Sequence, residues 1–240
     1  MFSLTPKKLK FSVLGLSENL IPTENLKLWL RADKGLIIDD SSGINTISKW
    51  EDQSGNNNHA VQNIKVDQPI YQPNILGSLG AVNFNPLQFF YVDLSYIANT
   101  YYTIVIAETQ SSEGSVFLGT TATDATNETL HIVKASNGLL FGQYSNDLFA
   151  SNVSTGESHV TVCSFNSRGH EIWVNSLRIA SNTSNQGMIS AEGGAIGNAF
   201  TNRRGQLRGS IGAIFVYIGD KSESQIKEIS DSVNKQALIY

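Results

Sequence analysis

Apolar and polar positions alternate along most of the chain, in short runs separated by residues that favour turns. The run Tyr101–Ala107 is β-branched or aromatic almost throughout, which is typical of a strand. The run Ile211–Ile218 is apolar apart from Gly212, which predicts a central strand buried on both faces. Further strands are predicted at 26–31, 69–72, 81–84, 88–92, 115–119, 129–134, 138–144, 159–166, 169–174 and 177–180. Many short strands with turns such as Asn137-Gly138 between them indicate a β-sandwich.

The period changes after the last of these strands. Ser222 and Gln225 form a capping-box pattern, in which each side chain bonds the backbone N–H of the other residue. Apolar residues then recur three or four positions apart, at Ile226, Ile229, Val233 and Ala237. This spacing predicts one amphipathic C-terminal helix that packs on the flank of the sandwich.

Residues 1–22 differ from the rest and are predicted to form an arm outside the core. Pro6 and Pro22 bracket the segment, and it is too apolar for a free tail. Such an arm requires a surface to cover, either on its own domain or on a neighbouring subunit. Residues 23–240 are then expected to form one domain, because β-sandwiches of this size commonly remain undivided.

Composition and charge narrow the function. Charged residues make up 16% of the chain and the net charge is −4, whereas nucleic-acid-binding proteins usually carry a basic surplus. No run approaches the ~20 apolar residues that span a bilayer, and the N-terminal stretch lacks the apolar block of a signal peptide. We therefore expect no nucleic-acid partner, no membrane insertion and synthesis in a cytoplasm. The single cysteine, Cys163, excludes an internal disulfide and is expected to be buried and inert.

The segment Trp50–Ala60 places a large aromatic residue directly before a polar, turn-forming run. Glycine and asparagine reach positive φ cheaply, so a tryptophan that anchors a long loop over a β core is expected. This loop and five further motifs occur here in the order and spacing seen in the laminin-G-like branch of the concanavalin-A-like jelly rolls of phages and bacteria, which the chain resembles. The further motifs are Leu28–Asp33, Ala81–Phe84, Tyr102–Ile106, Ile172–Ala180, and Leu207–Tyr217 followed by the helix.

The resemblance implies an all-β fold, a two-sheet antiparallel jelly-roll sandwich with an N-terminal arm and one C-terminal helix. Two positions depart from the family pattern. Ser176 stands where the hairpin turn usually has glycine, and Ala213 stands where the last strand usually has an acidic residue. Both changes are compatible with the fold, and the second removes a carboxylate that some relatives carry.

Four residues of these motifs are predicted to be structural. Trp29 and Trp50 are large apolar side chains at strand ends, and they are expected to share a single interior between two sheets with Ile211–Ile218. Asp52 is predicted to cap a turn rather than to act as a reactive carboxylate. Gly55 is predicted to supply the tight turn of the loop.

No catalytic constellation is apparent, so the chain is not expected to be an enzyme. Glycosidases on related folds space carboxylates along one strand so that alternation aims them into a cleft, and no such cluster occurs here. The four histidines are scattered singly, which disfavours a zinc site. The resemblance implies calcium as the more plausible cation, and hard oxygen ligands are close together in the loop that contains Asp124, Asn127 and Glu128. Solvated loop side chains are the alternative interpretation.

A sugar site needs an aromatic platform beside amide or carboxylate groups, because a pyranose ring has an apolar face and polar edges. Tyr144 could be the platform, and Asn146 and Asp147 the partners of the sugar edge. The alternative is an ordinary hairpin whose tyrosine packs against a neighbouring strand. Tyr101 and Tyr102 lie on opposite faces of one strand, so one of them is expected to be in the core.

Three functions follow as hypotheses. The first is a non-catalytic virion protein of a phage, a capsid decoration or fibre component or a tail adhesin. It would dock on other virion proteins through residues 1–22, possess a lectin-like domain for host-surface carbohydrate, and allow homo-oligomers. The second is a bacterial carbohydrate-binding module that acts with a separate enzyme. The third, a polysaccharide lyase or glucanase, is disfavoured by the missing carboxylates.

Overall fold

The structure is a computed structural model, and it describes residues 21–39, 43–76, 79–121, 123, 125–199 and 206–237. All of the predicted arm except its last two residues lies outside these ranges. The described chain contains seventeen strands and the helix α1 (Glu223–Ala237). The strands are β1 (Leu26–Arg31), β2 (Leu36–Asp39), β3 (Thr46–Trp50), β4 (Ala60–Val61), β5 (Ile70–Leu76), β6 (Leu79–Phe84), β7 (Phe90–Tyr91), β8 (Tyr102–Thr109), β9 (Ser115–Gly119), β10 (His131–Ala135), β11 (Gly138–Gly142), β12 (Asp147–Ser151), β13 (His159–Asn166), β14 (Gly169–Val174), β15 (Leu177–Ser181), β16 (Ala195–Ile196) and β17 (Gly209–Ile218).

The first sheet is built around β17, as its apolar sequence predicted. One edge of β17 pairs with β8 from Ser210↔Thr109 to Ile218↔Tyr102. Its other edge pairs with β6 near Gly209 and with β1 further along. The sheet continues from β8 through β13 and β14 to β15, and from β6 to β5. All of these pairings are antiparallel.

The second sheet runs in the order β12, β11, β10, β9, β16, β7, β4, β3, β2, and its pairings are also antiparallel. One residue pair, Thr46↔Ile70, connects it to the first sheet. The predicted all-β fold, a two-sheet antiparallel jelly-roll sandwich with a C-terminal helix, is therefore confirmed.

The main core lies between the two sheets, and the alternation of β8 shows how it is formed. Ile104 and Ile106 point into this core, whereas Val105 and Ala107 point to the opposite face of the sheet. Trp50 is fully buried in the core, where its ring lies 6.3 Å from that of Phe90. Its indole N–H also donates to the Arg31 carbonyl at 2.9 Å, so the buried polar atom is satisfied.

A second apolar cluster covers the other face of the first sheet, beneath α1. The four apolar positions predicted for the helix are all buried there: Ile226, Ile229, Val233 and Ala237. Trp29 belongs to this cluster and stacks on Phe215 with ring centroids 5.7 Å apart. The prediction that both tryptophans share one interior is thus wrong. Trp29 faces away from the main core because side chains alternate along β1, and its neighbours Leu28 and Leu30 point into that core.

The helix begins with the predicted capping box. The Ser222 hydroxyl accepts from the Gln225 N–H at 3.3 Å, and the Gln225 side-chain oxygen accepts from the Ser222 N–H at 2.9 Å. Two N–H groups that the first helical turn leaves without partners are satisfied in this way. None of the helices in the described part of the chain is long and apolar enough to cross a membrane.

The loop after Trp50 is organised by one carboxylate, that of Asp52. It accepts hydrogen bonds from the backbone N–H groups of Trp29 at 2.9 Å, Ser54 at 2.9 Å and Asn58 at 3.1 Å. Gly55 has a φ of 90°, a conformation that glycine adopts without a steric cost. The loop is thereby held against β1, so Asp52 and Gly55 have the structural roles that the sequence predicted.

Candidate functional site

One end of the sandwich gathers most of the residues that were predicted to bind a ligand. We call it the tyrosine end and define it by Tyr101, the turn Gln143–Asn146 and the segment 185–189. Hydrogen bonds connect the turn and the segment to the chain on either side of Tyr101. The Gln143 side-chain N–H donates to the Tyr102 hydroxyl at 2.6 Å, and the Asn99 N–H donates to the Met188 carbonyl at 2.7 Å.

The predicted sugar-binding residues Tyr144 and Asn146 lie in the turn between β11 and β12. Tyr144 has a φ of 57° and is half-buried. The Asn146 amide N–H group donates to the Asn127 side-chain oxygen and to the Gln186 carbonyl, both at 2.8 Å. These bonds fix the turn and use donors that a sugar edge would require. The geometry therefore gives Asn146 a role in holding the turn.

The third predicted sugar-binding residue, Asp147, begins β12 and is exposed. Its Oδ1 lies 3.5 Å from Nε2 of His131, which begins β10 in the same sheet. The hydrogen bond with His131 is the main reason that the pKa of Asp147 is lowered, although partial burial acts in the opposite direction. Asp147 is therefore a carboxylate next to the turn that holds Tyr144.

The residues considered for calcium are not gathered around a common point by the contacts in the structure. The side-chain oxygen of Asn127 accepts from Asn146, and a carboxylate oxygen of Glu128 accepts from the Thr123 hydroxyl at 2.6 Å. Asp124 lies outside the described residues. Among the residues that the structure describes, no three His, Cys, Asp or Glu side chains are placed to hold a metal ion. Asn127 and Asn146, which the sequence assigned to separate sites, form one hydrogen-bonded unit.

A groove beside this unit has the features expected of a ligand site, and no motif in the sequence marked it. Its volume is 390 Å³, within the range of about 300–1,000 Å³ that is usual for small-molecule sites. Tyr101 is 37% exposed, and its ring lies 5.2 Å from that of the buried Phe165. The lining residues are Asn99, Thr100, Tyr101, Phe165, Asn185, Gly187, Met188 and Ile189.

The floor of the groove requires a glycine. A Cβ at Gly187 would lie 2.2 Å from a ring atom of Phe165, so no larger residue fits without moving the ring. Next to it, Asn99 has a φ of 56° and its side-chain N–H donates to the Ile189 carbonyl at 3.4 Å. The groove is thus a pre-formed surface with an aromatic ring and the amide of Asn185 at its edge.

The tyrosine doublet behaves as the alternation predicted. Tyr102 is fully buried in the core, and burial raises the pKa of its hydroxyl group. Tyr101 points outward into the groove. The sequence therefore carried the signal that one tyrosine of the pair faces away from the core, although alternation alone does not say which one.

The two carboxylates that are most deeply buried in the described chain both take part in ion-pair networks. Glu108 accepts from the Ser111 hydroxyl at 2.7 Å and lies 2.9 Å from Nδ1 of His159. Glu171 accepts from Arg168 at 3.0 Å and from the indole N–H of Trp173 at 3.1 Å. Burial alone would raise the pKa of Glu171, but these hydrogen bonds leave it below its ordinary value.

No family model matches the chain, and no curated protein matches it in sequence. Solved structures do match its fold. Domain 4 of AbnA, an extracellular arabinanase of family GH43 from Geobacillus stearothermophilus in complex with arabinotriose, is similar with a TM-score of 0.60 and 14% identity, covering 86% of this chain and 98% of that one. The binding domain of botulinum neurotoxin serotype D/C has a TM-score of 0.53 and 14% identity, covering 88% of this chain and 53% of that one.

A sialidase module gives a third comparison. The CBM40 module of the Ruminococcus gnavus IT-sialidase, bound to α2,3-sialyllactose, has a TM-score of 0.50 and 15% identity, and the match covers 62% of this chain and 96% of that one. At these identities the likeness concerns the fold. The chain has the jelly-roll sandwich fold of these domains.

Proposed function

We propose that the protein is a non-catalytic, lectin-like domain that binds carbohydrate in the groove at the tyrosine end. The observation that carries this proposal is the exposed ring of Tyr101 above a pre-formed surface that has a glycine floor and an amide edge. A sugar ring can stack its apolar face on the tyrosine while its hydroxyl groups bond Asn185 and the hydroxyl of Thr100. Aromatic walls with few, placed polar groups are the general pattern of such sites.

The matched structures support the class of ligand. Two of them, the arabinanase domain and the sialidase module, contain a bound saccharide. The match to the arabinanase domain spans 98% of that domain, so the similarity concerns a complete module rather than a shared fragment. The absence of a carboxylate cluster from the sequence supports binding without catalysis.

The test is glycan-array binding by wild-type protein and by four variants, at Tyr101, Tyr91 and Tyr144. Tyr101→Ala should reduce binding about tenfold or more, because it removes the stacking surface, and Tyr101→Phe should retain most of it. Tyr91→Ala is the matched control, since Tyr91 is also exposed but lies on the second sheet. Melting temperatures should be measured for each variant so that loss of fold is distinguished from loss of the platform.

Two results would reject this site. One is wild-type-like binding by Tyr101→Ala, and the other is no binding of any glycan by wild-type protein, with or without calcium. A loss of binding in Tyr144→Ala but not in Tyr101→Ala would instead place the platform at Tyr144, the candidate that the sequence offered.

We propose further that the domain belongs to a phage particle and is attached to other virion proteins by its N-terminal segment. The apolar character of that segment supports docking, and its junction with the domain is well anchored. Ile21 is buried beneath α1, and the Pro22 carbonyl accepts from the Tyr217 hydroxyl at 2.9 Å. Residues 21 and 22 are therefore needed by the folded body, and a deletion should stop before them.

A variant that lacks residues 1–20 should remain folded and keep its glycan binding but should fail to join particles during an infection. Copy number per particle, measured by quantitative mass spectrometry, would report the difference from wild type. Normal incorporation of the truncated protein would contradict the docking role.

The second candidate is a bacterial carbohydrate-binding module that works with a separate enzyme. The near-complete coverage of the arabinanase domain favours it. Glycan binding is expected in both cases, so particle incorporation separates them. A protein that binds glycan and is absent from every particle fraction would favour the module.

A further inference from the structure

A second groove lies at the opposite end of the sandwich, which we call the arginine end. It is formed where β6 ends, where β8 leads into β9, and where β17 begins. Its volume is 540 Å³, and it is shallow and open to solvent over much of its area. The residues that line it are Asn83, Phe84, Asn85, Pro86, Gln110, Ser112, Arg208 and Gly209.

The backbone N–H and carbonyl of Arg208 are both hydrogen-bonded to the segment that precedes β9 and to the start of β9. Its N–H donates to the Ser115 hydroxyl at 3.1 Å, and its carbonyl accepts from the same hydroxyl at 3.2 Å and from the Ser112 N–H at 2.9 Å. The residue itself is exposed. The point from which the guanidinium extends is therefore fixed at the edge of the groove, and the planar guanidinium presents its donors in a rigid fork.

The opposite wall of the groove shows a backbone conformation that is unusual for its sequence. Gln110 has a φ of 59°, in the left-handed region that residues other than glycine and asparagine seldom occupy. It faces Gly209, where an added Cβ would lie 2.7 Å from the Cα of Ser111. The two strands approach closely here, and the strain at Gln110 places an amide side chain at the groove. Such strain is concentrated at ligand sites.

The side chains that line the groove are positively charged or neutral. Among the described residues that line the groove there is one cation, Arg208, together with three side-chain amides and one hydroxyl, and there is no carboxylate. Of the amides, Asn83 donates to the Ser210 hydroxyl at 2.9 Å, so its side chain is held in place beside the groove. A guanidinium binds a carboxylate through two parallel hydrogen bonds, and amides both donate to and accept from hydroxyl groups.

We infer that this groove is a second binding site, for an acidic saccharide whose carboxylate is held by Arg208 and whose hydroxyl groups contact Asn83, Asn85 and Gln110. The inference does not rest on the groove at the tyrosine end, because the two sites share no residue. A domain with both sites would contact a polysaccharide at two ends of the sandwich.

The experiment is an isothermal titration of the full chain with trigalacturonate, with maltotriose as the uncharged saccharide and with inorganic phosphate as the free anion. Wild-type protein should bind trigalacturonate and should bind neither maltotriose nor phosphate at this site. Arg208→Gln should weaken the binding about tenfold or more, as expected for loss of a charged hydrogen-bond partner. Arg208→Lys should give an intermediate affinity, because lysine keeps the charge but lacks the two-pronged geometry.

Lys227→Gln is the matched control, since it removes one positive charge from an exposed position on α1 and should leave the affinity unchanged. Tyr101→Ala should also leave it unchanged, which separates this site from the one proposed above. Three results would overturn the inference: equal binding by Arg208→Gln, phosphate binding as tight as that of the saccharide, or no binding of trigalacturonate, sialyllactose or a heparin tetrasaccharide by wild-type protein.

Discussion

At the scale of single residues, Asp52 shows how one side chain connects parts of the chain that are distant in sequence. Its carboxylate joins the N–H of Trp29 on β1 to two N–H groups of its own loop. It also accepts from the Ser54 hydroxyl at 2.7 Å. Hydrogen bonds to a charged acceptor are stronger than those between neutral groups, so Asp52 contributes strongly to the order of this loop, beside the amides of Asn56 and Asn58 that donate to β1 carbonyls.

Replacement of Asp52 should therefore be costly. In Asp52→Ala the buried N–H of Trp29 loses its partner, and we expect the free energy of unfolding to fall by about 2–3 kcal/mol. Asp52→Asn, which keeps one acceptor oxygen, should lose less. Urea unfolding followed by tryptophan fluorescence measures the change, and Glu113→Ala at an exposed position is the control. Equal stability of Asp52→Ala and Glu113→Ala would contradict the capping role.

The residue scale also shows what sequence can predict about the candidate site. Turn positions were predicted for Asp52 and Gly55 because the conformation of turn-forming residues is determined by their own side chains and near neighbours. The hydrogen-bond partners of the Asn146 side chain could not be predicted in the same way. Its donors are used by Asn127 and by the Gln186 carbonyl, which are 19 and 40 positions away along the chain. Whether a polar side chain is available to a ligand depends on such distant partners, which no local pattern specifies.

At the scale of elements, the helix was predicted from its capping box and from the spacing of its apolar residues, and its packing explains that spacing. Ile229 is buried between α1 and the first sheet, in the same cluster as Trp29 and Phe215. A helix of this kind gains its stability mainly from the buried face rather than from intrinsic propensity. The buried positions were therefore the ones that recurred every three or four residues.

Ile229→Ala tests this explanation. The substitution leaves a cavity beneath the helix, and we expect the free energy of unfolding to fall by about 2–4 kcal/mol. Glu228→Ala changes the neighbouring exposed position, so it should alter stability by less than about 0.5 kcal/mol. Chemical unfolding of both variants under identical conditions makes the comparison. Similar losses in the two variants would mean that the helix is not stabilised by this contact.

Several strands escaped prediction for reasons that the structure makes clear. β4 and β16 contain two residues each and have no period to detect. In β12 the alternation is present, but Phe149 occupies an outward position and is 49% exposed. Its ring covers Gly138, where an added Cβ would lie 2.4 Å from the ring. A glycine on the neighbouring strand thus lets an aromatic residue occupy a face where the pattern predicts a polar one.

At the scale of the whole molecule, the two sheets are connected at the arginine end by a buried group of charges. Lys134 reaches from β10 in the second sheet to within 3.9 Å of the Glu108 carboxylate on β8 in the first. Both side chains are almost completely buried, and the Lys134 ammonium group has no hydrogen-bond partner. Burial lowers the pKa of Lys134, although the nearby carboxylates of Glu108 and Glu157 act in the opposite direction.

The lowered pKa predicts a specific dependence of stability on pH. Below its folded-state pKa, Lys134 is charged in both states, and its burial costs free energy only in the folded one. As the pH rises from that pKa towards the ordinary value of 10.5, the unfolded chain binds more protons at this site than the folded chain, so the cost is removed and stability gains. Lys134→Met, which is similar in size and uncharged, should lack this gain.

The measurement is the difference in the free energy of unfolding between wild type and Lys134→Met, taken from urea titrations between about pH 7 and about pH 10. Buried tyrosines such as Tyr217, whose pKa is raised by burial, ionise more readily when unfolded and lower the stability of both proteins alike at high pH. The effect of the tyrosines cancels in the difference between the two free energies of unfolding, and the effect of Lys134 remains. The difference should shift in favour of wild type as the pH rises. A difference that stays constant across this range would mean that Lys134 titrates as it does in water, and that the two sheets are not separated from solvent at this end.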